Sequence, residues 1–292
     1  MTISLAPPYD AELQPAPPIQ CYTSRPEAFF VNSYLVETTA GIVVIDTQFL
    51  LSEAQGLRAQ LRATGRPLAA IFVTHPHPDH FNGVGVLLED GPSVPVYATQ
   101  ATADGIAAVE ATKRAYWTPI HGADYPTRTT LPTHILHPGE TVTVGGLDFV
   151  VEEWGEGETS NMMTVYLPAS GTLFAGDLAY HQVHPWLAES HSQAWLTQLA
   201  RAQQHYQHAH AVYVGHGQPG TPTMLAEQAD YIVFFKGLVE QHLSAFDNAP
   251  LPEAARASIR QEVLRRYPDL PLAGLIELNI NGIVAELQSS AH

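Results

Sequence analysis

A single cysteine, Cys21, stands in a chain of 292 residues, so no intramolecular disulfide can brace it and stability must come from a buried core. Basic residues are scarce as well: 13 Lys and Arg face 29 Asp and Glu, a formal charge of −16. Such a field repels phosphate backbones, which binding proteins neutralise with Lys and Arg, so nucleic acid is not an expected partner. No stretch is apolar for the ~20 residues that a membrane-spanning helix requires. The N-terminal MTISLAPPYDAELQPAPP also lacks the basic-then-apolar order of a secretory leader. These absences predict a soluble, cytoplasmic protein with no membrane partner. With 45% hydrophobic residues the chain can bury one large core, or one core and a small appendage, as a monomer or homodimer.

What is abundant is histidine, with 15 copies. Most must be structural, because a histidine is a metal ligand only where other ligands converge on it, and spacing decides which ones do. Residues 1–25 are rich in proline and without period, an N-terminal arm to which no chemistry is attached. From Phe29 the pattern turns to strands: FFVNSYLVET and GIVVIDT flank Thr39-Ala40-Gly41 as a hairpin, and Asp46 closes the second run. Residues 51–64 carry helical spacing that stops near Gly65 and Pro67. LAAIFVTH then reads as a strand running directly into histidines. VPVYA reads as a buried strand and residues 100–114 as a helix. Strands follow near Thr141–Val144, Leu147–Glu153, Met162–Leu167 and in TLFAGD, which ends in a carboxylate. A helix over 190–208 leads to AVYVGH, a strand ending in histidine, and Thr221-Pro222 opens another helix as N-cap and first-turn proline. Residues 251–288 read as wholly helical, with Leu272, Leu275, Ile276, Ile280, Ile283, Val284 and Leu287 as an apolar face that packs on the core or pairs two copies. The expected division is an arm over 1–25, a principal domain over 26–232 and a helical extension over 233–292 packed on the core.

The segment THPHPDHFNG places His75, His77, Asp79 and His80 within six positions, directly after an apolar strand. In an extended loop residues two apart point the same way, so His75 and His77 can share one ion while Asp79 and His80 turn toward another. Pro76 and Pro78 stiffen the loop and reduce the entropy lost in holding ligands at metal distance.

Three further stretches complete a pattern. The run H-x-H-x-D-H at 75–80, Asp177 in LFAGD, His216 in VYVGHG and Asp46 in VVIDT resembles the signature of the metallo-β-lactamase superfamily, in family order over about residues 27–220. The resemblance implies an α/β fold, a four-layer αββα sandwich with a cleft at one sheet edge, here followed by an added C-terminal helical segment. It implies two divalent metal ions: His75 and His77 for the first, Asp79, His80 and His216 for the second, Asp177 bridging both, and Asp46 steadying the ligand loop. One departure stands out. Where that superfamily carries a histidine for the first ion, this chain reads Gly157-Glu158-Thr159, with Glu156 a weaker rival for the role. A glutamate oxygen binds zinc at about 2.0–2.2 Å, so the site survives, but oxygen donors also suit manganese or iron. Zinc is the first expectation, with manganese or iron at the site holding Glu158.

The chemistry expected is hydrolysis: a metal-bound hydroxide attacks a carbonyl carbon, and Asp79 orients the water or takes its proton. Tyr180, three residues after Asp177, is placed like a tyrosine that polarises substrate in lactonases of this superfamily. His181, His184 and Trp186 are candidates for a pocket wall. No Lys or Arg occurs between Arg128 and Arg201, which favours an uncharged small-molecule substrate, an ester, lactone or thioester, over one bearing a carboxylate. Two other readings use the same ligands: an iron-dependent oxidoreductase of the persulfide dioxygenase kind, and a non-catalytic metal-containing protein that binds a small molecule.

Overall fold

The computed structural model describes residues 13–89, 91, 93–245 and 251–289. Two sheets face one another. The first runs in the order β1 (Ile19–Thr23), β2 (Asn32–Thr38), β3 (Gly41–Ile45), β4 (Leu68–Phe72), β5 (Val96–Thr99), β6 (His134–Leu136), with β1 to β3 antiparallel and β3 to β6 parallel. The second runs β11 (Ala211–Gly217), β10 (Thr172–His181), β9 (Met162–Leu167), β8 (Leu147–Gly155), β7 (Thr141–Val144), with only the β10/β11 pair parallel.

Alternation along these strands makes the layers. On β2 and β3 the side chains of Tyr34, Val36, Val43 and Ile45 point inward to meet Phe149, Val151, Val165 and Phe174 of the other sheet. Their neighbours Leu35, Ile42 and Val44 point outward, against Leu57 and Leu61 of α1 (Leu51–Ala63), Val84 and Leu87 of a helix at Val84–Leu88, and Ile106 of a helix at Gln100–His121. Strands covered on both faces become continuous apolar runs, as GIVVI does. On the far side, Leu173, Ala175, Val212 and Val214 pack on Trp195 and Leu199 of a helix at Ser192–His205 and on Leu225, Ile232 and Phe235 of one at Thr223–Ser244. The result is the α/β, four-layer αββα sandwich. Numbered in chain order after α1, the remaining helices are α2 (Pro78–Phe81), α3 (Val84–Leu88), α4 (Gln100–His121), α5 (Ser192–His205), α6 (Thr223–Ser244), α7 (Glu253–Arg266) and α8 (Leu275–Ser289). Among the described residues no helix is long and apolar enough to cross a membrane.

Several local expectations change. Part of the proline-rich arm forms β1, the edge strand of the first sheet, while residues 1–12 lie outside the described residues. The 100–114 helix continues to His121, with Pro119 inside its last turns. TLFAGD does not end at its carboxylate; β10 carries on to His181 through irregular pairing after Gly176. Thr221 does not cap α6 with its hydroxyl, which pairs instead with that of Thr223 at 2.9 Å. The stretch 251–288 is broken: α7 stops at Arg266 and α8 begins at Leu275, with Pro268 and Pro271 between. The boundary expected at 232 falls inside α6.

The C-terminal helices are tied to the sandwich rather than laid on it. Ile276, Ile280 and Ile283 are fully buried, and the Glu286 carboxylate accepts hydrogen bonds from the backbone N–H groups of Ser192 and Gln193, capping α5.

Candidate metal centre

β3 and β4 lie side by side in the first sheet, and the chain leaving each builds the centre. Asp46, just past β3, takes a left-handed backbone (φ 58°), which Asp tolerates better than most residues. That turn aims its carboxylate at the loop after β4, where it accepts from Thr74 N (2.9 Å), Thr74 Oγ1 (2.8 Å) and His80 Nδ1 (2.9 Å). The backbone after Asp46 grips the same loop: Thr47 N donates to His80 O and Gln48 N to Asp79 O. His77 sits at the N-terminal boundary of α2, with Pro78 in its first turn, and Asp79 and His80 ride on that short helix.

The remaining groups arrive from the second sheet. Asp177 lies within β10 and His216 near the end of β11, and Glu158 comes from the connection between β8 and β9. Gly215 makes the approach possible, since a Cβ there would stand 1.9 Å from Asp177 Oδ1 and 2.8 Å from His80 Cε1. The expected site residues meet in two groups, His75, His77, Glu158 and Asp177 on one side and Asp79, His80 and His216 on the other, with the candidate atoms of each group within 4.8 Å of one another. In the first, His77 Nδ1 is 3.2 Å and His75 Nε2 is 3.8 Å from Glu158 Oε2, and His75 Nε2 is 3.7 Å from Asp177 Oδ2. In the second, Asp79 Oδ2 is 3.1 Å from His216 Nε2 and 3.5 Å from His80 Nε2. Asp177 faces both groups, with Oδ1 3.5 Å from His80 Nε2 and Oδ2 3.3 Å from His216 Nε2.

Each imidazole has one nitrogen occupied on the side away from the centre. His80 Nδ1 donates to Asp46, His216 Nδ1 to the Phe29 carbonyl at 2.8 Å, His77 Nε2 to Glu189 Oε1 at 2.8 Å, and His75 Nδ1 pairs with Thr74 Oγ1 at 3.0 Å. That leaves the nitrogen facing the carboxylates as the donor to an ion, the arrangement in which outer hydrogen bonds set the tautomer of metal-binding histidines. His75 Nε2, His80 Nε2, Glu158 Oε2 and Asp177 Oδ1 are buried with no hydrogen-bond partner. Buried polar atoms are rarely left so, and four converging on one place fit divalent cations: spacings of 3.1 to 3.8 Å suit ligands each about 2.0–2.2 Å from an ion.

The electrostatics agree. Burial pulls His77 and His216 toward neutrality, yet Glu158 and Glu189 push His77 up to about 10, and Asp177 and Asp79 push His216 to about 10. His80 is likewise held well above the usual imidazole range, against burial, by Asp177, Asp79 and Asp46. His75 falls well below it, through burial and the charge on His80. Burial raises Glu158 to about 7 despite His77, whereas Asp79 and Asp177 stay well below the ordinary carboxylate range because neighbouring histidines outweigh their burial. Carboxylates thus draw positive charge into a buried place, and a divalent cation held there would supply that charge in place of the protons.

The centre forms the floor of a cavity of about 410 Å³. Tyr180 also lines it, but its hydroxyl donates to Asp177 Oδ2 at 2.6 Å and also reaches Glu158 Oε1 at 3.1 Å, and its ring stacks on His216. The group expected to polarise substrate is therefore engaged by two carboxylates. Of the three residues considered for the wall, only Trp186 lines the cavity; His184 is buried against the Tyr231 hydroxyl and His181 pairs with the Gln218 carbonyl. Glu156 is exposed and points to His191, leaving Glu158 as the carboxylate of that loop. Sequence reading missed Glu189, the Phe29 carbonyl and Lys113, which enters the cavity wall from α4. Lys113 removes the ground for expecting an uncharged substrate, because the cation missing between Arg128 and Arg201 comes from elsewhere in the chain.

The comparisons with known proteins agree with this geometry. The family profile described as the metallo-beta-lactamase superfamily matches residues 26–253. Metallo-beta-lactamase IND-1 of Chryseobacterium indologenes is 23% identical over 199 residues, 65% of this chain and 73% of that protein. Among solved structures, a metallo-beta-lactamase family protein from Thermus thermophilus superposes with a TM-score of 0.67 at 21% identity, covering 94% of each chain. A beta-lactamase domain protein from Burkholderia ambifaria gives 0.68 at 19% identity, covering 97% of this chain and 92% of its own. Ligand-bearing loop, sheet order and profile point the same way: this chain belongs to the metallo-β-lactamase superfamily.

Proposed function

We propose that the protein is a metal-dependent hydrolase that cleaves an ester, lactone or thioester of a small molecule. Its residues would hold two divalent ions, one by His75, His77 and Glu158, the other by Asp79, His80 and His216, with Asp177 between them. The observation that carries the reading is the convergence of four unpartnered buried donor atoms, of His75, His80, Glu158 and Asp177, in one place, where Glu158 and Asp177 line a cavity. The family supports hydrolysis in general and leaves the scissile bond open, since one fold hosts many chemistries.

A pair of divalent ions supplies Lewis-acid polarisation of a carbonyl oxygen and acidifies a water near neutral pH. The chain's own groups do the rest. Asp79 lines the cavity and is the carboxylate placed to orient a water at the floor and to take its proton. Asp46, Glu189 and the Phe29 carbonyl hold three histidine rings, so the ligands need little reorganisation. Tyr180 acts as a positioning residue, holding Asp177 and Glu158 in fixed orientation through its hydroxyl. Each group of residues would offer an ion two nitrogens and two oxygens when Asp177 is counted for both, a donor set that accepts zinc and also manganese or iron.

The test is a panel of small esters, lactones and thioesters offered to protein loaded with zinc or manganese. The expected result is turnover of at least one class, lost on chelation and restored by metal. Full metal occupancy with no turnover of any class contradicts the proposal.

A further inference from the structure

We propose that Lys113 is the docking point for an anionic group of the ligand, and that the ligand is an amphiphile whose apolar chain lies along the wall formed by Tyr116, Trp117, Leu275 and Leu278. The proposal deepens the hydrolase reading by naming a substrate class, and rests on it only for which bond is cut.

Three observations carry it. Among the described residues that line the cavity Lys113 is the sole Lys or Arg, in a chain with few basic residues, while the other charged lining groups belong to the metal centre at its floor. It is half-buried and has no ion-pair partner within 4 Å among the described residues; its influence reaches Glu189 only through space. An ammonium beside an apolar wall with no protein anion to give up is free to donate charge-assisted hydrogen bonds to an incoming anion.

The wall is composite. Lys113, Tyr116 and Trp117 fall at i, i+3 and i+4 on one face of α4, and Leu275 and Leu278 at i and i+3 on α8. Tyr116 is 62% and Leu278 45% exposed, large apolar side chains left bare where two separate helices meet a cavity. A cavity of about 410 Å³ falls in the small-molecule range of about 300–1,000 Å³. Floor, apolar wall and single ammonium together describe a ligand with a reactive carbonyl, a hydrocarbon portion and one negative charge.

Decane-1-sulfonate and 1-decanol, matched in chain and differing in charge, are the probes, titrated into the metal-loaded protein and followed by the fluorescence of Trp117 and Trp186. Wild type should bind the sulfonate more tightly, with affinity falling as salt is added and rising by roughly threefold per methylene from hexane- to decane-sulfonate. In Lys113→Met the sulfonate should weaken by about tenfold while 1-decanol is unchanged, and Lys113→Arg should restore most of the loss. Equal weakening of both probes, no weakening of the sulfonate, or no binding of either by wild type overturns the proposal. Because the readout is binding, absence of ester turnover would remove the hydrolase reading and leave this one standing.

Discussion

The cluster of His75, His77 and Glu158 and the cluster of Asp79, His80 and His216 present the same donors, two imidazole nitrogens and one carboxylate each, with Asp177 facing both. They differ in what holds them. Asp79 and His80 are gripped by backbone hydrogen bonds from Thr47 and Gln48, His80 is fixed by the buried Asp46, and His216 by a main-chain carbonyl. In the other cluster His77 leans on the partly exposed Glu189 side chain and His75 on the Thr74 hydroxyl, and Glu158, though met by the Tyr180 hydroxyl, rides on a strand connection. Matched donors with unequal supports predict unequal affinities: the ion at Asp79, His80 and His216 should be held more tightly, and the ion at Glu158 should exchange first.

The most drastic way to break the comparison is to remove what the clusters share. Asp177→Ala should strip metal from both and lower hydrolysis by roughly a thousandfold or more, read by elemental analysis beside the ester panel. Loss of only one ion would show that Asp177 serves a single cluster. Next in size, Asp46→Asn should weaken metal binding about 10- to 100-fold, mainly at Asp79, His80 and His216, as competition with a metal indicator would reveal. Glu158→His should sharpen the contrast in the opposite sense, raising the preference for zinc over manganese at the first cluster by about tenfold. Glu189→Gln keeps an acceptor for His77 but loses the charge, and should cost a few-fold in affinity at that cluster alone.

A smaller effect lies outside both clusters and separates their acid sensitivity from that of the core. Burial holds His184 near 4, below its ordinary 6.5. Between those values the unfolded chain binds more protons, so stability is complete above about pH 6.5 and falls by about 2–3 kcal/mol as pH drops toward 4. His184→Asn, which keeps an acceptor for the Tyr231 hydroxyl, should flatten that slope when urea unfolding is compared at pH 7 and pH 4.5.

How much of this was legible before the fold was known follows physical distance along the chain. His75 to His80 could be read because their ligands are local, a short loop after one apolar strand. Asp177 and His216, ambiguous on their own, were legible through the family resemblance, by their place after apolar runs in the family's order, although Asp177 lies inside β10 rather than at its end. Glu189 and Lys113 were not, because their relation to the centre exists only after a loop and α4 have packed over the cleft, and neither lies in a pattern of its own. Pro268 and Pro271 were visible warnings against a continuous helix over 251–288, but apolar spacing on both sides masked them; the break brings Leu272 and Leu275 into the cavity. β1 and β6, five and three residues long, are too short for alternation to announce them beside prolines and loops.

Anomalous diffraction from crystals of the zinc-loaded protein bears most directly on the paired-ion account. It predicts two peaks about 3.5–4 Å apart, one among His75, His77 and Glu158 and one among Asp79, His80 and His216, with Asp177 between them. A single peak, or metal bound away from these residues, would contradict it.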